Sequence, residues 1–232
     1  MSPRTFLLSL FLIPLQGLSA QATTSLDSTA PRGQFVELHS CEVLAGSCVV
    51  NGEADQEGNY LLRAWRFDSG SLAGAPLKGL TVALLEKGDK TLALPKNPAT
   101  DAVAYLPPGL TPAQRAALLT WARQNTTATL EESRIKVAPL DMEISKDQVR
   151  FSAGKELTFD GATPEPCGLT GCGEMLWYEP RGGASSFVVD QLGQSRVIEP
   201  LLSLQWLDHS RKTVFVGRFG DPEPTVPALC GI

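Results

Sequence analysis

Only one segment of this 232-residue chain carries the pattern of a helix. The rest of its patterned sequence comes in short apolar or alternating runs between turn formers. Such runs are the length of strands, with every second side chain on one face. Gln34 to Cys41 alternates, and Val43-Leu44 continues it toward Gly46. Tyr60 to Phe67 and Leu80 to Leu85 read as strands, joined by the turn-rich Asp68-Ser69-Gly70-Ser71-Leu72-Ala73-Gly74-Ala75-Pro76. Further strands are predicted at Ala102 to Leu106, Glu132 to Pro139, Met142 to Ile144, Gln148 to Ser152 and Glu156 to Phe159. The last third adds Glu174 to Tyr178, Ser185 to Gln191, Leu201 to Trp206 and Thr213 to Phe219. Thr111-Pro112-Ala113-Gln114 supplies an N-cap, a proline at the first helical position and a Gln three residues after the cap. That start, the apolar face Leu118, Leu119, Trp121 and Ala122, and the stop at Asn125 predict a helix over residues 111–125. One amphipathic helix must bury its face, most simply on a sheet. The expected class is α+β and β-dominated: antiparallel sheet with the helix packed on it.

The N-terminus reads as an export signal. Arg4 is the only charged side chain before Asp27, and an apolar run from Phe6 to Leu15 is interrupted only by Ser9 and Pro14. Ala20-Gln21-Ala22 supplies the small-x-small pattern of a cleavage site. The apolar core is roughly 10 residues, half the ~20 needed to span a bilayer, and Pro14 and Gly17 break it. No Cys ends the signal region, which argues against a lipid anchor. The expected organisation is a signal peptide over 1–22, a polar leader over 23–33, a single β-rich domain over 34–220 and a tail over 221–232. After cleavage no membrane span is expected, and the compartment is periplasmic or extracellular.

Hydrophobic residues make up 43% of the chain and charged residues 19%, as in a folded globule. The formal charge is −5 and the Lys and Arg residues are scattered singly. Nucleic acid binding draws on clustered cations, so it is disfavoured, as is a polybasic membrane site. No Gly-x-Ser-x-Gly elbow, phosphate loop, His-Glu-x-x-His pair or dinucleotide fingerprint is present. Arg181-Gly182-Gly183-Ala184-Ser185-Ser186 reads as a hairpin connection, and His209 as a solvated turn residue. Glu131-Glu132, Asp141/Glu143 and Asp221/Glu223 read as exposed carboxylates. Trp65, Trp121, Trp177 and Trp206 read as core, and Asn125-Thr126-Thr127 fits a glycosylation sequon. No catalytic set emerges, and an enzyme is the weaker reading.

The cysteines Cys41, Cys48, Cys167, Cys172 and Cys230 admit three readings: structural disulfides, metal ligands or a redox-active pair. Cys167-Gly168-Leu169-Thr170-Gly171-Cys172 is the loop most readily closed by a local bridge, although spacing fixes no connectivity. The sharper reading is a metal site. Glu37, His39 and Cys41 lie two apart and share one face of an extended strand. Cys48 follows across an expected turn at Ala45-Gly46, and Cys167 and Cys172 would complete the set if the fold brings the segments together. Thiolate plus imidazole is a soft donor set suited to copper(I) or zinc.

Several segments in order resemble the domain-of-unknown-function family numbered 1326. They are Val43-Leu44-Ala45-Gly46-Ser47-Cys48, Asn51-Gly52-Glu53, Ala64-Trp65-Arg66-Phe67 and Ser69-Gly70-Ser71. Gln114-Arg115-Ala116-Ala117-Leu118-Leu119, the turn Cys167 to Cys172, Leu176-Trp177-Tyr178-Glu179-Pro180 and Phe215-Val216-Gly217-Arg218-Phe219 follow. The resemblance implies a cysteine-containing β-rich domain with one helix and an association with metal, carried over to Cys48, Cys167 and Cys172. Members with a denser first cysteine cluster differ from this chain, where Cys41 and Cys48 stand alone. The function expected is an exported protein that binds a soft metal ion through its cysteines, with an unidentified protein or small ligand as partner. The alternative is a disulfide-stabilised structural or interaction module of the cell envelope.

Overall fold

The computed structural model describes residues 30–46, 58–162, 174–176, 178–182 and 184–221. The signal, most of the leader, the tail, Trp177 and Cys48, Cys167, Cys172 and Cys230 lie outside the described residues. In chain order the strands are β1 (Arg32–His39), β2 (Leu44–Gly46), β3 (Tyr60–Ser69), β4 (Ser71–Leu72), β5 (Ala75–Pro76), β6 (Thr81–Lys87) and β7 (Asp101–Leu106). Helix α1 (Pro112–Gln124) precedes β8 (Ile135–Val137), β9 (Leu140–Ile144), β10 (Val149–Ala153) and β11 (Leu157–Ala162). Then come β12 (Glu174–Leu176), β13 (Ala184–Glu199), β14 (Leu204–His209) and β15 (Val214–Phe219). The architecture is α+β and β-dominated, with one main helix against a curled, mostly antiparallel sheet.

The helix forms as its sequence dictates. Thr111 accepts from the Gln114 amide, and the Gln114 side chain reaches back to the Thr111 amide, so two orphan donors at the helix start are satisfied. Asn125 caps the other end. Ala117, Leu118, Leu119 and Ala122 are buried against the sheet. The chain from β7 through α1 returns in β8, which pairs parallel to β7. A parallel return needs a long crossover, and the helix supplies it. Among the described residues every other strand pair is antiparallel.

The main sheet runs β8-β7-β6-β3-β1-β15-β13-β11-β10-β9, with β14 also on β13. Its two faces bury two cores. One, under the helix, holds Phe35, Trp65, Phe67, Leu84, Leu106 and Phe215. The other holds Val36, Leu62, Leu85, Phe151, Phe159 and Trp206, and the sheet curls around it. Arg66 fastens the curl, since its guanidinium on β3 donates to the Met142 carbonyl on β9 at 2.7 Å. A second tie crosses from β13 to the β7–β8 pair. Glu199, fully buried, accepts from Lys136 at 2.7 Å through both oxygens, from the Tyr105 hydroxyl and from the Leu201 amide at 2.9 Å. Burial, then the Glu199 hydrogen bond and charge, push the Tyr105 phenol well up, so it stays a donor.

Several expected boundaries shift. Gly33, assigned to a frayed leader, is buried inside β1, where the register to β3 slips between Arg32 and Gly33. A Cβ there would lie 1.9 Å from the Arg66 carbonyl oxygen, so the two main chains meet too closely for any side chain. Ala45-Gly46, expected as a turn, is strand β2. Glu132–Arg134 and Pro200–Leu202 are short 3-10 turns at the points where strands were expected to begin, because tight turns must precede β8 and β14. β13 continues well beyond Gln191 to Glu199. The register to β11 shifts at Asp160/Gly161, where Gly193 is needed because a Cβ would strike the Asp160 carboxylate at 2.1 Å.

Two substitutions separate these contributions. Gly33→Ala should destabilise the protein by about 1–3 kcal/mol, as overpacking of main chain against main chain does. Thr111→Ala should cost about 1 kcal/mol, the value of a cap. Urea unfolding checks both, and a neutral Gly33→Ala would contradict the strand assignment at that position.

Candidate functional site

The alternation along β1 decides what lies beneath the Pro180-Arg181-Gly182 turn. Phe35, Glu37 and His39 occupy every second position and face the core shared with the helix, opposite Trp65, Arg63 and Leu61 of β3. Two of those β1 side chains are polar, yet Glu37 and His39 are both wholly buried. On β6, Glu86 shares the parity of Val82 and Leu84 and is also buried, next in register to Leu61. An interior that takes in charged groups must pair them.

It does so through one connected set. Glu37 Oε1 lies 2.6 Å from His39 Nε2 and accepts from the Arg181 main-chain amide at 2.9 Å. Glu37 Oε2 accepts from the Gly182 amide at 3.0 Å. Two successive turn amides thus grip an internal carboxylate in the way such turns hold anions. Arg63 donates to Glu86 Oε2 at 2.6 Å, to the Asn125 carbonyl and to the Arg181 carbonyl at 3.4 Å. Its guanidinium also lies 5.2 Å over the Trp65 ring. The second Glu86 oxygen accepts from the Thr126 hydroxyl at 2.6 Å. The Arg181 guanidinium leaves the cluster and donates to the carbonyls of Leu92 at 2.8 Å and Asn97 at 3.2 Å. Strand β1, the end of the helix, the loop after β6 and the turn before β13 are therefore tied to one another.

Burial by itself would raise the Glu37 carboxyl. The His39 hydrogen bond, the field of His39 and of Arg63, and the Arg181 amide outweigh it and hold the group below the ordinary glutamate range. Burial, aided by the like charge of Arg63, lowers Arg181, while Glu86 and Glu37 oppose that shift. Glu86 is paired with Arg63, the Arg181 guanidinium acts on both carboxylates only through its field, and the His39 imidazole is hydrogen-bonded to Glu37. His39 Nδ1 is buried and has no hydrogen-bond partner, and the ring meets Phe215 edge to face at 5.6 Å.

Of the residues expected to bind metal, His39 and Cys41 fall within the described residues. Strand β1 ends at His39, so Cys41 lies just beyond the ladder and is not carried along the face by strand geometry. It is buried, with its sulfur 4.0 Å from the Thr91 hydroxyl. Gly58 closes this junction at φ +82°, where a Cβ would lie 2.4 Å from Thr91 Oγ1 and 2.8 Å from Cys41 Sγ. Among the described residues no three His, Cys, Asp or Glu side chains converge to hold a metal ion. A complete ligand set would have to draw on Cys48, Cys167 or Cys172.

The remaining candidates have structural roles or face solvent. His209 closes β14 and is exposed, one strand position before the turn expected to hold it. The Asn125 side chain donates to the Trp121 carbonyl at 2.9 Å, and Thr127 both donates to and accepts from the main chain of Ala99, so the sequon is woven into the helix end. Arg63, Glu86 and Arg181 were missed by a search for catalytic motifs. Their parity within apolar strands would have found the first two, since Arg63 alternates with Leu61 and Trp65, and Glu86 with Leu84.

Among the described residues no helix is long and apolar enough to cross a membrane. No family model, curated protein or solved structure matches the chain.

Removing the Glu37 charge should cost about 1–3 kcal/mol at neutral pH, because the His39 ring and the Arg181 and Gly182 amides lose a charged acceptor in the interior. The folded carboxyl titrates below its unfolded value, so its contribution is complete above about pH 4.3 and fades as pH falls through the folded value. Urea unfolding of Glu37→Gln and native protein should therefore differ most near neutrality and converge on the acid side.

Proposed function

We propose that this is an exported β-rich protein that holds a soft metal ion, copper(I) or zinc, at the end of β1. The ligands are His39 through Nδ1, the Cys41 thiolate and one or more of Cys48, Cys167 and Cys172. One observation carries the reading: His39 is fully buried with Nε2 fixed on Glu37 and Nδ1 left without a partner. Metal-bound imidazoles are oriented in this way, with one nitrogen on a carboxylate and the other on the ion. An unpaired ring nitrogen in the interior otherwise costs about 1–3 kcal/mol. Glu37 would set the ring's orientation and raise its basicity, while the Arg181-Gly182 amides keep the carboxylate ionised. The export signal, the likeness to family 1326 and the soft donor set are the supports from sequence. The site would serve binding, with no reacting group among its ligands.

A second reading is favoured by the β2–β12 ladder. Gly46 pairs with Glu174, Cys48 follows Gly46 by two residues, and Cys172 precedes Glu174 by two. A disulfide between those cysteines would make the protein a stapled interaction module of the cell envelope, without metal.

Titration of reduced, metal-free protein against a chromogenic chelator, with copper(I) and separately with zinc, decides between them. Stoichiometric uptake that is lost in His39→Gln and Cys41→Ser, with unchanged circular dichroism, is the expected result. Native protein that takes up neither ion, or folded variants that bind as well as native, would overturn the metal reading. Two disulfides and one alkylatable thiol in unreduced protein would then establish the module.

A further inference from the structure

Both ligands proposed at the end of β1 adjoin one segment, the loop over residues 88–100 that joins β6 to β7. His39 stands opposite Leu61 of β3 in register, and Leu61 packs with Leu92 and Ala99 of the loop in a small core of its own. The Cys41 sulfur lies 4.0 Å from the hydroxyl of Thr91, also on the loop. His39 and Leu92 are wholly buried, Thr91 is 1% exposed and Cys41 2%. An ion held at these side chains therefore leaves only when something covering them moves.

The strand and the loop differ in what holds them. β1 is paired along its length with β3 on one side and β15 on the other, and freeing it takes the main sheet apart. The loop contains neither strand nor helix. Its apolar anchor is the small core around Leu61, and hydrogen bonds supply further hold. The Leu92 amide donates to the Gly58 carbonyl at 2.7 Å, and Thr127 bonds the main chain of Ala99. The Arg181 guanidinium donates to the carbonyls of Leu92 and Asn97. Segments with few buried apolar contacts open locally, ahead of global unfolding. Arg181 differs from the other ties because it holds two things at once. Its main-chain amide grips Glu37, which orients the His39 ring, while its side chain grips the loop. One residue thus joins the carboxylate that fixes the imidazole to the segment that adjoins both ligands.

We propose that Arg181 latches the loop over residues 88–100, and that local opening of this latch, with the sheet intact, sets the rate at which the buried ion exchanges. The inference rests on the metal reading above and makes the ion a slowly exchanging resident of the fold. In the test, the full chain is loaded with zinc or with copper(I), and release into saturating chromogenic chelator is timed across low urea concentrations. Slow release that is nearly flat in urea is expected, because local opening exposes little surface. Arg181→Met keeps the main-chain amides on Glu37 and removes the guanidinium. It should release the ion at least about tenfold faster with the same flat profile, the loss of one charge-assisted hydrogen bond from the closed state. Thr111→Ala, at the start of the helix, weakens the whole fold and should leave release unchanged. Should Arg181→Met fail to fold, Asn97→Ala replaces it, removing the side-chain bond to the Thr91 carbonyl inside the loop, with faster release again expected. Release that climbs with urea in step with global unfolding, or that quickens equally in Thr111→Ala, would overturn the latch. So would release no faster in the loop variants than in native protein. Failure to take up either ion would instead sink the metal reading, and the latch with it.

Discussion

A single buried carboxylate, Glu37, fixes the relation between the first strand and the last third of the chain. Its two oxygens take three donors, the His39 ring and the successive amides of Arg181 and Gly182. That accounts for the placement of a turn 144 residues away in sequence. The turn leads into β13, the long strand on which β11, β14 and β15 assemble. Because Arg181 also ties down Leu92 and Asn97, the loop after β6 depends on the same carboxylate. A hydrophobic contact in this position would tolerate sliding by a residue. A bidentate set of hydrogen bonds in the interior does not, because each misplaced donor is left dry.

Glu199 performs the corresponding task at the other core. Lys136, Tyr105 and the Leu201 amide converge on it, so the far end of β13 is held to the β7–β8 pair. Burial would raise this carboxyl, but the Lys136 and Tyr105 hydrogen bonds and the Leu201 amide hold it below the ordinary range. One strand is thus anchored near each end by a buried carboxylate. Between the anchors it bends at Gly193, passing from β15 on one edge to β11 on the other. The curl of the sheet follows from that bend together with the Arg66 tie to Met142, and the second core is what the curl encloses.

The helix was legible to the residue because its start is written in side chains, Thr111 and Gln114, that act within one turn. Most strands were legible because Val36, Leu38, Leu62 and Ala64 face one core while Phe35, Trp65 and Phe67 face the other. What sequence patterning did not reveal is non-local. The expected strand stops at Gln191, and only the approach of Asp160 from β11 makes Gly193 an irregularity inside a longer strand. Gly33 reads as part of a polar leader until the Arg66 carbonyl arrives from β3. The expected run of Glu37, His39 and Cys41 along one strand face extends in the structure only as far as His39. His39 and Glu37 do share a face, but they meet each other and a distant turn, and Cys41 lies past the end of the ladder.

The account of polar groups also separates structure from binding. Glu37, Glu86 and Glu199 have every oxygen engaged by a buried or charge-assisted donor. Each accepts from donors on other strands or turns and so ties separate elements together. Carboxylates of that kind hold strands in place, whatever motif they resemble. Incomplete atoms are more informative, because evolution keeps an unpaired polar atom in the interior only at a cost of stability. Several interior atoms are left so among the described residues, the indole N–H groups of Trp65 and Trp121 included, and His39 Nδ1 differs from them in that the other nitrogen of its ring is held on a carboxylate. An imidazole nitrogen whose ring partner is held on a carboxylate suits an electron-pair acceptor such as a metal ion. A carboxylate with every oxygen engaged is explained by the fold, and the ring nitrogen beside Glu37, left unpaired, is what the metal proposal rests on.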